Sequence, residues 1–150
     1  MIKSSTKLFA VILSGLHAVG ASPPADDKPI KQAIWLDNLD LANDKAKNDK
    51  KHILLYFSGS DWCRPCIQLK EKVFTSKNFN QFAEKNLILV QLDFPAQKKN
   101  QLADAQRAHN AKMAEIHNPK GVFPLVVIIN SEGKKIGDMG GINGKRLSCT

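Results

Sequence analysis

The sequence predicts an α/β fold in which a central mixed sheet carries helices on both faces. Amphipathic stretches with helical spacing alternate with short apolar runs of strand length, which is typical of α/β proteins. The last two runs flank a tight turn at residues 130–133, which predicts a hairpin and therefore an antiparallel pair. A chain of 150 residues with 43% hydrophobic content has room for one domain with a real core.

Residues 1–30 are predicted to precede the folded domain. Residues 1–21 combine a lysine-bearing start, a short apolar run and small residues before a cleavage point after Ala21, as in a signal peptide. The apolar run is too short for a comfortable membrane span, and a retained anchor is the alternative. Residues 22–30 are rich in proline and predict a linker, so the domain covers residues 31–150.

The first half of the domain is expected to contain a helix, a strand and a second helix. Residues 53–57 are a continuous apolar run that predicts a buried strand, and residues 58–61 form the turn after it. The first helix is predicted from apolar residues at helical spacing, which are Ile34, Trp35, Leu39, Ala42 and Ala46. The inward face expected for the second helix consists of Ile67, Lys70, Val73 and Phe74.

The second half is expected to contain two helices and further strands. Residues 76–84 predict a short helix with Phe79 and Phe82 turned inward. Residues 97–117 predict a longer helix whose inner side carries Leu102, Ala105, His109, Met113 and Ile116. The predicted strands cover residues 87–92, 122–129 and 134–139.

The most informative feature of the chain is the motif Trp62-Cys63-Arg64-Pro65-Cys66. Two thiols three positions apart at a strand-to-helix junction can close or open a disulfide without moving the rest of the fold. Cys63 is expected at the helix start, where free backbone N–H groups favour a thiolate, while Cys66 lies one turn further in and is shielded. Pro65 suits the first helical turn, and Arg64 adds a positive charge near the thiolate.

A static disulfide or part of a metal site is the alternative for Cys63 and Cys66. Structural zinc takes four protein ligands. The chain has one closely spaced cysteine pair, and its histidines do not form a zinc-binding motif with that pair. The chain has three cysteines, so Cys149 is left over and is interpreted as a stray exposed thiol. We expect no metal ion, and no cofactor beyond a redox-active Cys63–Cys66 disulfide.

The net charge of +8 does not by itself identify a partner. The lysines are scattered, and no stretch combines them with aromatic residues that could stack on bases. We therefore expect a solvated basic surface and no nucleic acid partner. Outside the cytosol a reactive dithiol has to be kept in its working state by another protein, so the export signal predicts a redox partner.

The combined pattern resembles the thioredoxin superfamily. A strand is followed by the Cys63–Cys66 motif at a helix start, and Phe123-Pro124 opens a later strand. Residues 56–63 look most like exported bacterial thioredoxin-like proteins related to the soluble domain of thiol:disulfide interchange proteins. The resemblance covers residues 31–144. It implies a three-layer thioredoxin-like fold, a periplasmic location and a cysteine-containing protein substrate.

The resemblance also implies roles for Phe123 and Pro124. In the family the matching proline is cis and lies against the redox pair, and the backbone before it pairs with the extended chain of a substrate. Phe123 is bulkier than the Thr or Val that many relatives carry, which suggests a preference for a particular partner. Trp62 either packs beside the motif or contacts the substrate.

Two positions depart from the family pattern. Thioredoxins carry a buried aspartate in the strand before the motif, thought to help deprotonate the resolving thiol, and the matching residue here is Tyr56. A tyrosine with a pKa of about 10 is a poor base at neutral pH, so proton transfer from Cys66 is expected to use water or Asp61. After Met139 the chain is short and rich in glycine, so the C-terminal helix is predicted to be short or absent.

The predicted function is that of an exported thiol–disulfide oxidoreductase that reduces protein disulfides through Cys63 and Cys66. The preference for reduction rests on Pro65, which matches thioredoxin, and on the resemblance to reducing domains. A redox partner, which the resemblance allows to be membrane-bound, would reset the dithiol. The alternative is a non-catalytic thioredoxin-fold module that binds an extended peptide or a metal ion.

Overall fold

The computed structural model describes residues 32–140 and 148–149. Among these residues no helix is long and apolar enough to cross a membrane. The elements in chain order are β1 (Trp35–Leu36), α1 (Leu39–Asp49), β2 (His52–Ser58), α2 (Arg64–Leu69), a π-helical turn (Lys70–Phe74), α3 (Lys77–Asn86), β3 (Leu87–Asp93), a 3-10 turn (Lys98–Asn100), α4 (Asp104–His117), β4 (Leu125–Ile129), β5 (Lys135–Gly140) and β6 (Ser148–Cys149).

The strands form a six-stranded mixed sheet in the order β1-β3-β2-β4-β5-β6. Strands β1, β3 and β2 run parallel, and the remaining pairs are antiparallel. In the middle of the sheet Leu55 pairs with Val90 of β3 and Val127 of β4. Residues 53–57 of β2 are each at most 4% exposed, because helices cover both faces of the sheet. The predicted α/β class and mixed sheet are confirmed.

The two faces of the sheet belong to separate cores. Alternate β2 residues point to opposite faces, so Leu55 and Tyr56 enter different clusters. One cluster joins the odd-numbered β2 residues to α1 and α4, through Leu39, Ala42, Ala46 and Met113. The other joins the even-numbered β2 residues to the helices that follow the motif, through Cys63, Cys66, Phe74 and Ala83. The redox motif therefore lies on the face covered by α2 and α3.

The prediction that Ile34 and Trp35 begin the first helix is wrong. Trp35 lies in β1, where it pairs with Leu89 of β3, and the helix starts at Leu39. Asn38 caps this helix, because its side chain accepts hydrogen bonds from the backbone N–H groups of residues 40 and 41 at 2.8 and 3.1 Å. The cap fixes where helical geometry begins and leaves the preceding residues free to join the sheet.

The predicted inward face of the motif helix is also largely wrong. Phe74 is buried as expected, but Ile67 and Val73 are 38% and 41% exposed and Lys70 is exposed. The helix widens into a π-helical turn, in which the N–H of Thr75 donates to the carbonyl of residue 70 at 3.1 Å. The wider turn shifts the phase of the side chains from Lys70 onward, so a regular 3.6-residue period misplaces Val73; Ile67 precedes the turn, which does not explain its exposure.

Two later helices also differ in part from the prediction. In α3 Phe79 packs into the core as predicted, whereas Phe82 is 56% exposed. Helix α4 begins at Asp104 rather than at residue 97. Its buried residues are Asn110 and Met113, while Ala105 and Ile116 are exposed and Leu102 and His109 are half-buried. Met113 is buried as predicted, and the buried polar residue Asn110 explains why a search for apolar spacing alone misplaced the rest of the inner face.

The last described strands form the other edge of the sheet. Strand β5 pairs with β4, and β6 pairs with β5 through Gly137 and Cys149. The prediction of a short or absent last helix concerns residues 141–150, most of which lie outside the described residues. The predictions of a signal peptide and linker at residues 1–30 and of a stray thiol at Cys149 lie outside the described residues and side chains.

Candidate active site

The loop between β2 and α2 places Cys63 at the start of the helix. Strand β2 ends at Ser58, and the carbonyl of Gly59 accepts hydrogen bonds from the N–H groups of Trp62 and Cys63 at 3.4 and 2.9 Å. Cys63 is the N-cap residue, and its Sγ accepts a hydrogen bond from the N–H of Cys66 at 3.3 Å. A donor aimed at this sulfur favours a thiolate over a thiol, because hydrogen bonds to the charged form stabilise it.

Cys63 and Cys66 form a disulfide whose Cα atoms are 5.2 Å apart. The two residues are 4% and 1% exposed, so the pair is closely enclosed by the protein. Pro65 occupies the first turn of α2, where its missing N–H removes no helical hydrogen bond. Arg64 is exposed in the same turn, which places a positive charge beside the pair where solvent weakens its effect.

Trp62 is half exposed and held in a fixed orientation. Its indole Nε1 donates a hydrogen bond to the carbonyl of Phe94 at 2.7 Å, and 50% of the residue remains accessible. The ring lies directly over Gly59, where an added Cβ would overlap the indole. Glycine at this position therefore makes room for the indole on the backbone of the loop.

Phe123 lies between two other aromatic side chains. Its ring centroid is 5.4 Å from that of Trp62 and 5.4 Å from that of Phe94, and both pairs are T-shaped. The Phe123–Pro124 peptide bond is cis, and Pro124 is buried immediately before β4. Phe94 was missed by the sequence analysis. Its position after β3 is the signal that could have found it, since the carboxyl ends of parallel neighbours β2 and β3 meet at one edge.

Two aspartates connect the loops after β2 and β3. Asp93 accepts hydrogen bonds from the Ser58 hydroxyl at 3.0 Å, from the Ser60 N–H at 2.9 Å and from the Ser60 hydroxyl at 2.5 Å. In return, Asp61 accepts from the N–H groups of Ala96 and residue 97 at 2.9 and 3.0 Å and from an Asn100 amide. These two carboxylates fix the loop that carries Phe94.

The same hydrogen bonds bear on the expectation that Asp61 accepts a proton from Cys66. The N–H of Ala96, then the side chain of Asn100, lower the pKa of Asp61 below its ordinary value. Both carboxylate oxygens already accept hydrogen bonds from the loop. A carboxylate stabilised in its charged form is a weaker base, so the structure favours a positioning role for Asp61.

Tyr56, in β2, contacts the motif helix from the sheet. Its hydroxyl donates a hydrogen bond to the carbonyl of Cys66 at 2.8 Å, and its ring makes T-shaped contacts with Trp35 and Phe74. Burial, with a smaller effect from the negative charge of Asp93, raises the pKa of Tyr56 to about 12. The hydroxyl therefore stays protonated at neutral pH and cannot take the proton of Cys66.

The arrangement suits thiol–disulfide exchange better than metal binding. Within the described residues no group of three or more His, Cys, Asp and Glu side chains lies close enough to hold a metal ion. The two sulfurs are bonded to each other, and Phe123, in T-shaped contact with the half-exposed Trp62, packs against the cluster that holds both cysteines. An incoming disulfide could approach Cys63 along Trp62 and Phe123.

Comparison with known proteins identifies relatives of the whole domain. A solved structure described as DsbH oxidoreductase superposes with a TM-score of 0.69 at 33% identity and covers 83% of this chain and 85% of that one. Disulfide bond reductase DsbH of Chlamydia pneumoniae is 38% identical over 99 residues, which are 66% of this chain and 58% of the relative. The thioredoxin-related protein DsbJ of the same organism is 22% identical over 144 residues, 94% of this chain and 40% of that protein.

The matches differ in how much of each relative they span. The chain covers less than two thirds of the length of either Chlamydia pneumoniae protein. A solved thioredoxin from Thermus thermophilus shares the fold with a TM-score of 0.56, at 14% identity over 74% of this chain and 77% of the other. A family profile described as thioredoxin-like matches residues 34–131, which contain the motif, Phe94 and Pro124. The chain therefore belongs to the thioredoxin-like family of the thioredoxin superfamily.

Proposed function

We propose that the chain is a thiol–disulfide oxidoreductase that reduces disulfides in partner proteins. The observation that carries this proposal is the Cys63–Cys66 pair at the start of α2, with the N–H of Cys66 directed at the Cys63 sulfur. The similarity to proteins described as a disulfide bond reductase and an oxidoreductase supports it.

In the reaction, the reduced Cys63 acts as the nucleophile. Its thiolate attacks one sulfur of a partner disulfide, which breaks the S–S bond, forms a mixed disulfide and releases the other partner sulfur as a thiolate. Cys66, after losing its proton, then attacks the Cys63 sulfur. The Cys63–Cys66 bond forms, the mixed disulfide breaks, and the partner leaves as a dithiol with the two electrons that the protein has given up.

The partner segment is proposed to lie along Phe123 and Pro124. This stretch precedes β4, Phe123 packs against the cluster that holds both cysteines, and the half-exposed indole of Trp62 contacts its ring. An extended segment at this place would use backbone hydrogen bonds for affinity and the aromatic rings for selection of its neighbouring side chains.

The reducing direction of the reaction and the periplasmic location of the protein are parts of the same proposal. Proteins with such dithiols span about 150 mV in reduction potential, or roughly 7 kcal/mol, so the fold alone leaves the direction open. The reductase among the relatives favours the reducing direction. A signal peptide at residues 1–21 would deliver the protein to the periplasm, where a redox partner, soluble or membrane-bound, would return the disulfide to the dithiol.

Reduction of insulin disulfides by dithiothreitol tests the proposal directly. The protein is expected to accelerate the reaction, and Cys63→Ser is expected to abolish the acceleration, because its hydroxyl cannot attack a disulfide. A wild-type protein without activity, or a Cys63→Ser variant with full activity, would overturn the proposal. Binding of insulin without reduction would support a peptide-binding module instead.

A further inference from the structure

The release of the partner requires a group that accepts the proton of Cys66. Tyr56, Asp61 and Asp93 are unsuited to this role. Tyr56 remains protonated, since its pKa is raised to about 12. Asp61 is held by the loop at residues 96–100, and Asp93 accepts three hydrogen bonds from Ser58 and Ser60. Cys66 is 1% exposed, and a buried thiol loses its proton reluctantly because burial disfavours the charged form.

A cavity of about 290 Å³ adjoins Cys66, and Cys63 is not among the residues that line it. It extends between β2, β3 and the helical stretch after the motif. Most of its lining surface is apolar, and the side-chain hydroxyls and the amide among its residues are the groups that can hydrogen-bond water. The residues around it are Tyr56, Ser58, Ser60, Cys66, Ile67, Lys70, Glu71, Thr75 and Gln91.

Glu71 is the carboxylate that lines this cavity. It belongs to the π-helical turn, a kind of distortion that is frequent at functional sites. The side chain is exposed as well as facing the cavity, so it lies where the cavity meets solvent. Among the described residues no hydrogen bond or ion pair engages this carboxylate, in contrast to Asp61 and Asp93.

We propose that Glu71 accepts the proton of Cys66 through water in this cavity when the mixed disulfide is resolved. The inference rests on the proposed function and concerns its second step. The Cys66 thiol gives its proton to water, which passes one to the Glu71 carboxylate, and the Cys66 thiolate attacks the Cys63 sulfur. The partner sulfur departs as a thiolate and takes a proton from solvent or from Glu71, which restores the carboxylate.

The charges around the cavity are compatible with this role. The ionisable groups that line it are Tyr56 from β2 and Cys66, Lys70 and Glu71 from the helical stretch, and β3 contributes the neutral Gln91. The ammonium of Lys70 favours the transient thiolate, since an opposite charge nearby stabilises the charged form. Because Glu71 is exposed, it can release the proton that it has accepted to bulk water.

Pre-steady-state reaction of the reduced protein with glutathione disulfide, quenched with acid and analysed by mass spectrometry, separates the two steps. Glu71→Gln is expected to form the glutathione mixed disulfide at the wild-type rate and to resolve it about 10²-fold more slowly at pH 7, the size of a general-base contribution. The difference should shrink as the pH rises, because hydroxide then removes the Cys66 proton. Glu84→Gln, an exposed glutamate on α3, is the control and should match the wild type.

Glu71→Asp, which keeps the carboxylate, should recover most of the resolution rate. The proposal is overturned if Glu71→Gln resolves the mixed disulfide with the wild-type rate and pH profile, or if Glu71→Asp is as slow as Glu71→Gln. A wild-type protein that forms no mixed disulfide through Cys63 would instead contradict the proposed function, so the two failures are distinguishable.

Discussion

Removal of the Tyr56 hydroxyl tests whether this residue stabilises the motif helix or transfers a proton. In Tyr56→Phe the ring keeps its contacts with Trp35 and Phe74, whose centroids lie 5.9 and 4.9 Å away. The Cys66 carbonyl loses the hydroxyl donor at 2.8 Å but keeps the N–H of Lys70 as a partner. The variant should therefore lose one net hydrogen bond, or about 1 kcal/mol of the free energy of unfolding.

Urea unfolding of the oxidised protein measures this loss. About 1 kcal/mol corresponds to a fall of roughly 4 °C in Tm for a domain of this size. Tyr56→Leu, which also removes the aromatic contacts, should lose about 2–3 kcal/mol more. Resolution of the glutathione mixed disulfide should be unchanged in Tyr56→Phe. An unchanged free energy of unfolding, or a tenfold slower resolution of the mixed disulfide, would refute the assignment of a purely structural role to Tyr56.

Three further predictions concern the walls of the site. Gly59→Ala should displace the indole of Trp62 and slow insulin reduction by about tenfold, whereas Gly137→Ala, whose added Cβ meets no atom within 4 Å, should not. Hydrogen bonds lower the pKa of Asp61, so its stabilising effect is present above the ordinary pKa and is lost as the pH falls through the lowered value. In Asp61→Asn the free energy of unfolding measured with urea should therefore fall less than in the wild type as the pH is lowered from about 6 to 2. Phe123→Thr should change the preference between peptide disulfides with aromatic and with small neighbouring residues by about tenfold, while reduction of glutathione disulfide stays similar.

The parts of the fold that depend on local pattern were predictable. The apolar run at residues 53–57 gave the central strand because a strand covered on both faces has no polar side. The position of Trp35 was not predicted, since a two-residue edge strand depends on pairing with Leu89, far away in sequence. The Asn38 cap was the available signal for the true helix start. The exposure of Val73 was missed because the π-helical turn at residues 70–74 breaks the regular period.

In the candidate site, too, contacts between residues close in sequence were predictable and contacts created by the fold were not. Cys63 and Cys66 are three residues apart, so their proximity is a local property of a helix start. Asp61 and Ala96 are 35 residues apart in sequence, and their hydrogen bond arises only when β2 and β3 lie side by side. The sequence therefore predicted the redox pair, while the loop that carries Phe94 and the cavity that joins Cys66 to Glu71 required the structure.

We propose that the Cys63 sulfur attacks a partner disulfide and that the Cys66 sulfur releases the reduced partner. The most direct measurement is mass spectrometry of reduced Cys66→Ser after reaction with insulin, with peptide mapping of the adduct. We expect a stable mixed disulfide on Cys63 that dithiothreitol releases; with Cys63→Ser added to the variant, any remaining adduct should map to Cys149. The absence of an adduct on Cys63 would contradict this proposal.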